Sequence, residues 1–262
     1  MASISAEEHH GWRSRLAVVI LAAGLGKRMN STRAKVLHEV LGKAMVVYVV
    51  EAALALAGKA VVVVVGNQAA AVRRVVAHHA HVVFAYQDRQ LGTGHAVACA
   101  LPHLPAGCED VMVLCGDVPL IRTATLQTLV DEHVQTGRDV TLLAVDLDRP
   151  HGYGRILLAR DRKVVGIVEE ADATPEQRAI RTINSGIYCI KRRFLEEALP
   201  RLTRDNAQGE FYLTDIIRIG YESGRDVGAT RSLDPNEILG VNTPQDLAQV
   251  EAILRARSED IA

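Results

Sequence analysis

Cysteine is scarce in this 262-residue chain. Cys99, Cys108, Cys115 and Cys189 are the only four, and no two of them stand at the C-x-x-C spacing of zinc or thiol-redox sites. Scattered singly, they fit a reduced chain in the cytoplasm. Aromatic residues are also few, at 4%, which argues against a base-stacking platform for nucleic acid. Net charge is almost absent: 30 Lys and Arg stand against 31 Asp and Glu, a formal charge of -1. No overall field therefore draws the chain to duplex DNA or to an anionic membrane, and any anion site must be local. No apolar run approaches the ~20 residues of a membrane-spanning helix. Arg13 and Arg15 before the apolar run Leu16 to Ala23 imitate a short secretory signal, but Glu7 and Glu8 spoil its basic flank. Residues 1–15 read as a flexible polar extension and 16–262 as the domain. Without export, the sequon Asn30-Ser31-Thr32 has no consequence.

What is abundant is apolar, at 48% of residues, with Ala and Val dominant. Short apolar runs without polar alternation are what strands covered on both faces look like. Leu16 to Leu21, Ala60 to Val65, His81 to Ala85, Asp110 to Cys115 and Asp139 to Val145 are predicted strands. Met45 to Ala57, Gln68 to His79, Gly94 to Leu101 and Thr123 to Thr136 are predicted crossover helices. Right-handed connections then place helices on both faces of a parallel sheet. After residue 145 the texture changes to Gly-rich turns and alternating runs, Arg155 to Ala159 and Val164 to Val168, which predict a small antiparallel lobe. Lys191 to Leu199, Phe211 to Tyr221 and Thr243 to Arg257 return to helix, the last with Thr243 as N-cap and Pro244 at the first helical position. The expected fold is a Rossmann-like three-layer α/β/α domain with an inserted β lobe.

Two places carry chemistry. The first strand runs into Ala22-Ala23-Gly24-Leu25-Gly26-Lys27-Arg28-Met29, where small residues let backbone N–H groups approach an oxyanion. This is neither the dinucleotide fingerprint, because Met29 replaces its third glycine, nor a Walker A loop, because Arg28 follows Lys27 where Ser or Thr belongs. Arg28 and Lys35, with Lys27 and Arg33 nearby, bring the fixed cations that a polyphosphate requires. The strand ending in Gly116-Asp117 delivers a carboxylate to the same carboxyl edge of the sheet, where ligands of open α/β sheets bind. Magnesium takes only one or two protein oxygens and completes its shell with phosphate and water, so Asp117 is a candidate ligand. A tight strand-to-helix turn and an Asx-turn before Pro119 are the purely structural alternatives.

The phosphate-loop segment from Leu21 to Met29, together with Lys35-Val36-Leu37-His38, Gln90-Leu91-Gly92-Thr93-Gly94-His95-Ala96 and Gly116-Asp117-Val118-Pro119, resembles the uridylyltransferase domain of bacterial N-acetylglucosamine-1-phosphate uridylyltransferases. Gly152-Tyr153-Gly154-Arg155, Ile167-Val168-Glu169, Ile183-Asn184-Ser185-Gly186, Asn206 to Asp215 and Gly240-Val241-Asn242 follow in the same order, so the resemblance spans about Leu16 to Glu251. It implies a pyrophosphorylase fold that joins UTP and a sugar 1-phosphate into a UDP-sugar with Mg2+, releasing pyrophosphate. By resemblance, Leu21, Ala22, Ala23, Gly24, Gln87, Gly92 and Thr93 hold the nucleotide, with the Gln87 carboxamide suited to the O4 and N3–H edge of uracil. Arg28 and Lys35 act on the triphosphate and leaving group. Asp117 and Asn242 hold magnesium, and Thr93, Gly154, Glu169 and Asn184 contact the sugar phosphate.

The chemistry accounts for what the sequence omits as well. A sugar phosphate, with a second pKa of about 6, is largely dianionic near neutral pH and attacks the α-phosphorus without a general base. The protein must supply alignment and neutralisation of negative charge. Lys27 stands where the family carries Thr or Ser, Ala34 where it carries Pro, Cys115 where Tyr is usual and Ala171 where Lys is common, so the sugar side of the pocket is altered. Hexapeptide repeats are missing, so no acetyltransferase activity is expected, and the chain is expected to be a monomer or weak oligomer. Small-molecule substrates, rather than nucleic acid or membrane, are the expected partners. Another hexose 1-phosphate as substrate, and a non-catalytic sugar-nucleotide sensor, are the competing readings.

Overall fold

A computed structural model describes residues 11–259. Eleven strands and eight α-helices alternate as β1 (Leu16–Ala22), β2 (Glu39–Val40), β3 (Lys43–Ala44), α1 (Met45–Ala57), β4 (Val61–Val65), α2 (Ala69–His79), β5 (Val83–Tyr86), α3 (Thr93–Ala100), β6 (Asp110–Cys115), α4 (Thr123–Thr136), β7 (Val140–Asp146), β8 (Gly154–Leu158), β9 (Val164–Val168), α5 (Pro175–Arg178), β10 (Thr182–Lys191), α6 (Arg192–Ala198), α7 (Asp215–Glu222), β11 (Val227–Arg231) and α8 (Pro244–Glu259) among the described residues. The central sheet runs β11-β7-β10-β6-β1-β4-β5. All its strands are parallel except β10, which is antiparallel to both β6 and β7. The expected lobe is the β8–β9 antiparallel pair, joined to the sheet where β8 meets Ile183 and Asn184 of β10.

The alternation of β1 builds the three layers. Leu16, Val18 and Ile20 pack with Val46, Val49 and Leu56 of α1, Val72 of α2, and Leu126 and Leu129 of α4. Ala17 and Val19 face the other way, onto Ala96 and Val97 of α3, Phe194 and Leu195 of α6, and Ile216 of α7. Every residue of Val61–Val65 is buried, as a strand covered on both sides requires. A third, smaller cluster joins Met29, Val40, Met45 and Leu120 to Val241 and Val250, seating α8 beside the phosphate loop.

Several expectations are corrected. The segment just before β1 is not loose: Trp12 is buried, and its indole N–H donates to Asp131 Oδ1 at 2.8 Å. Residues 1–10 lie outside the described residues. The helix expected from Phe211 begins at Asp215, because Phe211 to Leu213 are engaged with the loop that opens α3. Two strands of the main sheet, β10 and β11, have no counterpart among the predicted strands. Among the described residues, no helix is long and apolar enough to cross a membrane.

Candidate active site

Leu21 pairs with Cys115 on one side and Val64 on the other, so β1, β4 and β6 end together and their following loops share one edge. Backbone bonds stitch those loops: Gly116 N–H to Leu21 O (2.9 Å), Asn67 N–H to Ala23 O (3.2 Å) and Val241 N–H to Asp117 O (2.9 Å). Gly26 turns the phosphate loop at φ 62°, ψ 34°. Only glycine fits there, because a Cβ would stand 2.6 Å from the Cβ of Lys35. The loop thus lies against the stem of the lysine that serves it.

Three expected residues meet at one oxygen, and a fourth joins through the lysine. Asn242 Oδ1 accepts from Arg28 at 2.9 Å and from the Lys35 ammonium at 3.1 Å, while Lys35 also pairs with Asp117 Oδ2. The Lys35 and Asp117 side chains are only 16% and 18% exposed, so their charges are partly shielded from water. Met29 and Val241, the chain neighbours of Arg28 and Asn242, are anchored in the third apolar cluster. Asp246 fixes Asn242 further by accepting its N–H (2.9 Å) and that of Thr243 (2.8 Å), and Thr243 Oγ1 caps α8 by accepting from Asp246 N–H. Arg28 and Lys35 line the cavity beside Asp117, while the Asp246 carboxylate is engaged by the Asn242 and Thr243 amides.

At the other end, Gln87 is buried. Its amide nitrogen donates to Gly92 O at 3.0 Å and lies 3.0 Å from His95 Nδ1. When His95 Nδ1 accepts, both amide hydrogens of Gln87 are engaged and its carbonyl oxygen is what remains for a ligand. The expected two-way reading of the uracil edge by Gln87 is therefore reduced to acceptance. His95, on α3, helps to set this orientation. Gly92 sits at φ 111°, where a Cβ would meet Phe211 O at 2.6 Å, and Thr93 Oγ1 accepts from Leu213 N–H at 2.9 Å. Both residues lock the start of α3 to the 211–213 segment.

Glu169 and Asn184 form an adjoining group near Cys115. Glu169 accepts from Thr214 Oγ1 at 3.0 Å, and burial raises its pKa. Gly154 admits this carboxylate closely, since a Cβ there would lie 3.3 Å from Glu169 Oε2 and 2.9 Å from Ile167 Cγ2. Asn184 donates to the buried Tyr188 hydroxyl at 2.7 Å and accepts from Gly186 N–H at 3.2 Å. The Cys115 thiol is held toward Gly186 O at 3.6 Å, and burial pushes its pKa up to about 12, so it is a neutral wall and not a nucleophile.

A cavity of about 410 Å³ unites Leu21, Ala23, Gly24, Arg28, Lys35, Gln87, Gly92, Thr93, Asp117 and Asn242. It does not include Ala22, whose side chain packs in the core, nor Gly154, Glu169 and Asn184, which group around the β8–β10 pairing. Gln90, Gln208 and Glu210 also line it. The sequence motifs contain all three, and their shared polarity is the signal that marks them. Asp117 and Asn242 supply two hard oxygens that already converge on one ammonium. Among the described residues no three His, Cys, Asp or Glu stand together as a metal cluster. A sparse all-oxygen pair beside an anion site fits magnesium, which draws its other ligands from phosphate and water.

The MobA-like NTP transferase domain matches residues 18–210. The bifunctional protein GlmU of Geobacter metallireducens is 48% identical over 242 residues, 92% of this chain and 51% of that protein. Its counterpart in Geobacter sulfurreducens is 46% identical over the same shares, and that of Desulfotalea psychrophila is 43% identical, with 71% of its length matched. The chain spans about half the length of the first two. A three-layer sheet whose carboxyl edge gathers glycines, cations and an acid, matched along most of its length by one family, leads to a single placement: the chain belongs to the MobA-like NTP transferases and is a nucleotidyltransferase related to GlmU.

Proposed function

We propose that the chain transfers the uridylyl group of UTP to N-acetylglucosamine 1-phosphate, giving UDP-N-acetylglucosamine and pyrophosphate. The observation that carries this reading is the convergence of Arg28 and Lys35 on Asn242, with Asp117 paired to the same Lys35, at one end of a cavity that Gln87 lines at the other. That span suits a nucleoside triphosphate, with the base at Gln87 and the phosphates at the cations. Glu169, Asn184 and Gly154, grouped around the β8–β10 pairing, are the proposed sugar side.

In the reaction a sugar-phosphate oxygen forms a bond to the α-phosphorus of UTP while the bond from that phosphorus to the bridging oxygen breaks, and the electron pair leaves on pyrophosphate. No proton transfer is required of the protein. Arg28 and Lys35 neutralise the charge that accumulates on the triphosphate, Lys35 exchanging its Asp117 partner for phosphate oxygens. Backbone N–H groups of Ala23 to Gly26 supply donors that need no reorganisation. Gln87 orients the base by accepting from uracil N3–H. Magnesium, held by Asp117 and Asn242, would neutralise further negative charge on the phosphates when bound.

Pyrophosphate release measured with UTP, magnesium and a panel of sugar 1-phosphates tests the reading. We expect turnover with N-acetylglucosamine 1-phosphate above glucose and galactose 1-phosphates. Preference for an unacetylated sugar would overturn the substrate. Tight UDP-sugar binding without turnover on any member would replace the enzyme with a sensor.

A further inference from the structure

Gln68 lies just past the end of β4, and the transfer reaction described above gives it no part. Its backbone is left-handed, at φ 51°, ψ 38°, a conformation that favours glycine. A long carboxamide stands there instead, and it makes two bonds to one stretch of backbone. Its Nε2 donates to Thr32 O at 2.5 Å, and its Oε1 accepts the Ala34 N–H at 3.3 Å. The orientation is determined, because a flipped amide would set N–H against N–H and oxygen against oxygen. To residues 32–34 the side chain does what a neighbouring strand would do.

Residue 34 is the one before Lys35. Ala34 is buried and extended, at φ -54°, ψ 136°, whereas the four residues ahead of it, Asn30 to Arg33, are exposed. Gln68 ties this otherwise solvent-facing approach to the end of the sheet. Gly26 touches the Lys35 stem from one side, and the Gln68 clip fixes the preceding peptide from the other.

We propose that Gln68 is a positioning residue: by clipping the 32–34 backbone to the end of β4, it aims the Lys35 ammonium at the incoming phosphates. The consequence for catalysis rests on the proposed function, but the clip itself does not.

The test uses Gln68→Gly, Ala34→Pro and the double variant. Glycine removes the clip while relieving the left-handed backbone, so Tm is expected to stay within about two degrees of wild type. Loss of the two bonds is expected to lower kcat/KM about three- to tenfold and to speed hydrogen exchange at the Ala34 amide. Proline fits the φ of Ala34 and fixes it covalently, so Ala34→Pro added to Gln68→Gly is expected to return kcat/KM to within about twofold of wild type. Unchanged kcat/KM in Gln68→Gly, unaltered exchange at Ala34, activity that merely tracks Tm, or failure of proline to rescue would each overturn the proposal. Exchange at Ala34 reads the clip with no substrate present. A wild-type protein without transfer activity would therefore sink the functional reading separately, and UTP affinity of the same variants would then replace turnover as the readout.

Discussion

Replacing Asp117 with asparagine should move nucleotide affinity in opposite directions with and without a divalent ion. Asparagine keeps the shape of the side chain and an oxygen for Lys35, but removes the negative charge paired with the Lys35 ammonium. Exposures of 16% and 18% for Lys35 and Asp117 place the pair between surface and interior, where an intermediate dielectric applies. For like charges about 6 Å apart at an effective dielectric of about 20–40, removing the repulsion between carboxylate and triphosphate is worth about 1.4–2.8 kcal/mol. In EDTA, Asp117→Asn should therefore bind UTP about 10- to 100-fold more tightly than wild type, helped by a Lys35 no longer paired to a carboxylate. With magnesium the order reverses: wild type gains affinity, the variant gains little, and its turnover falls about 100-fold or more, as loss of a principal charge-stabilising group often causes. Titration calorimetry of UTP in EDTA and in magnesium, beside a pyrophosphate-release assay, reads all three quantities. If asparagine left the metal-free affinity unchanged, or if magnesium tightened both proteins equally, Asp117 would not face the phosphates and the assignment of this cluster would fail.

Burial raises the pKa of Glu169 above its ordinary 4.5, so the folded state holds this proton more strongly than the unfolded chain does. The stability it contributes is full below that ordinary value and is lost as pH climbs through the raised one. Glu169→Gln should consequently raise Tm at pH 7.5, by about 2–4 °C per kcal/mol of relieved penalty, with the gain vanishing toward pH 4; a Tm difference independent of pH would refute the cause given. Gly92→Ala should lower Tm by about 4–8 °C, since alanine at φ 111° and a Cβ against Phe211 O together cost about 2 kcal/mol or more. Because Gly92 O also holds Gln87, the same variant should weaken UTP binding, and calorimetry showing both quantities unchanged would count against the packing described.

Most of the sheet could be read from runs such as Val61–Val65, and α1 and α4 from their period, because burial on two faces or on one stripe leaves a local mark on sequence. Strand β10 left no such mark. Its first half, Thr182-Ile183-Asn184-Ser185-Gly186, mixes small polar residues with apolar ones, and its pairing with β7 shifts register between Asn184 and Tyr188. Strand β11 was hidden similarly: Val227-Gly228-Ala229-Thr230-Arg231 is short, and Gly228 is there so that the Arg138 side chain can lie over it. The segment holding the buried Trp12 reads as an extension because its neighbours are polar, although a lone tryptophan is itself a hint of burial. At the site, the glycines, Arg28 and Asp117 were legible because loop chemistry follows closely on strand ends, and Lys35 because it adds a cation to the same loop region. The commitment of the Gln87 amide to Gly92 and His95, the support of Glu169 by Thr214, and the grip of Gln68 on residues 32–34 were not. Each depends on which atoms of a side chain are already occupied, and only three-dimensional proximity decides that.

Asn242 stands 214 residues beyond the Arg28 it meets, and every strand of the sheet precedes it in the chain. During translation, then, the scaffold can be assembled from residues already outside the ribosome while the final oxygen of the cation cluster is still to be delivered. Synthesis at ~5–20 residues per second leaves a short interval in which a nascent chain has its sheet but an incomplete pocket. Until the segment around Val241 docks, Arg28 and Lys35 lack the Asn242 oxygen on which they converge.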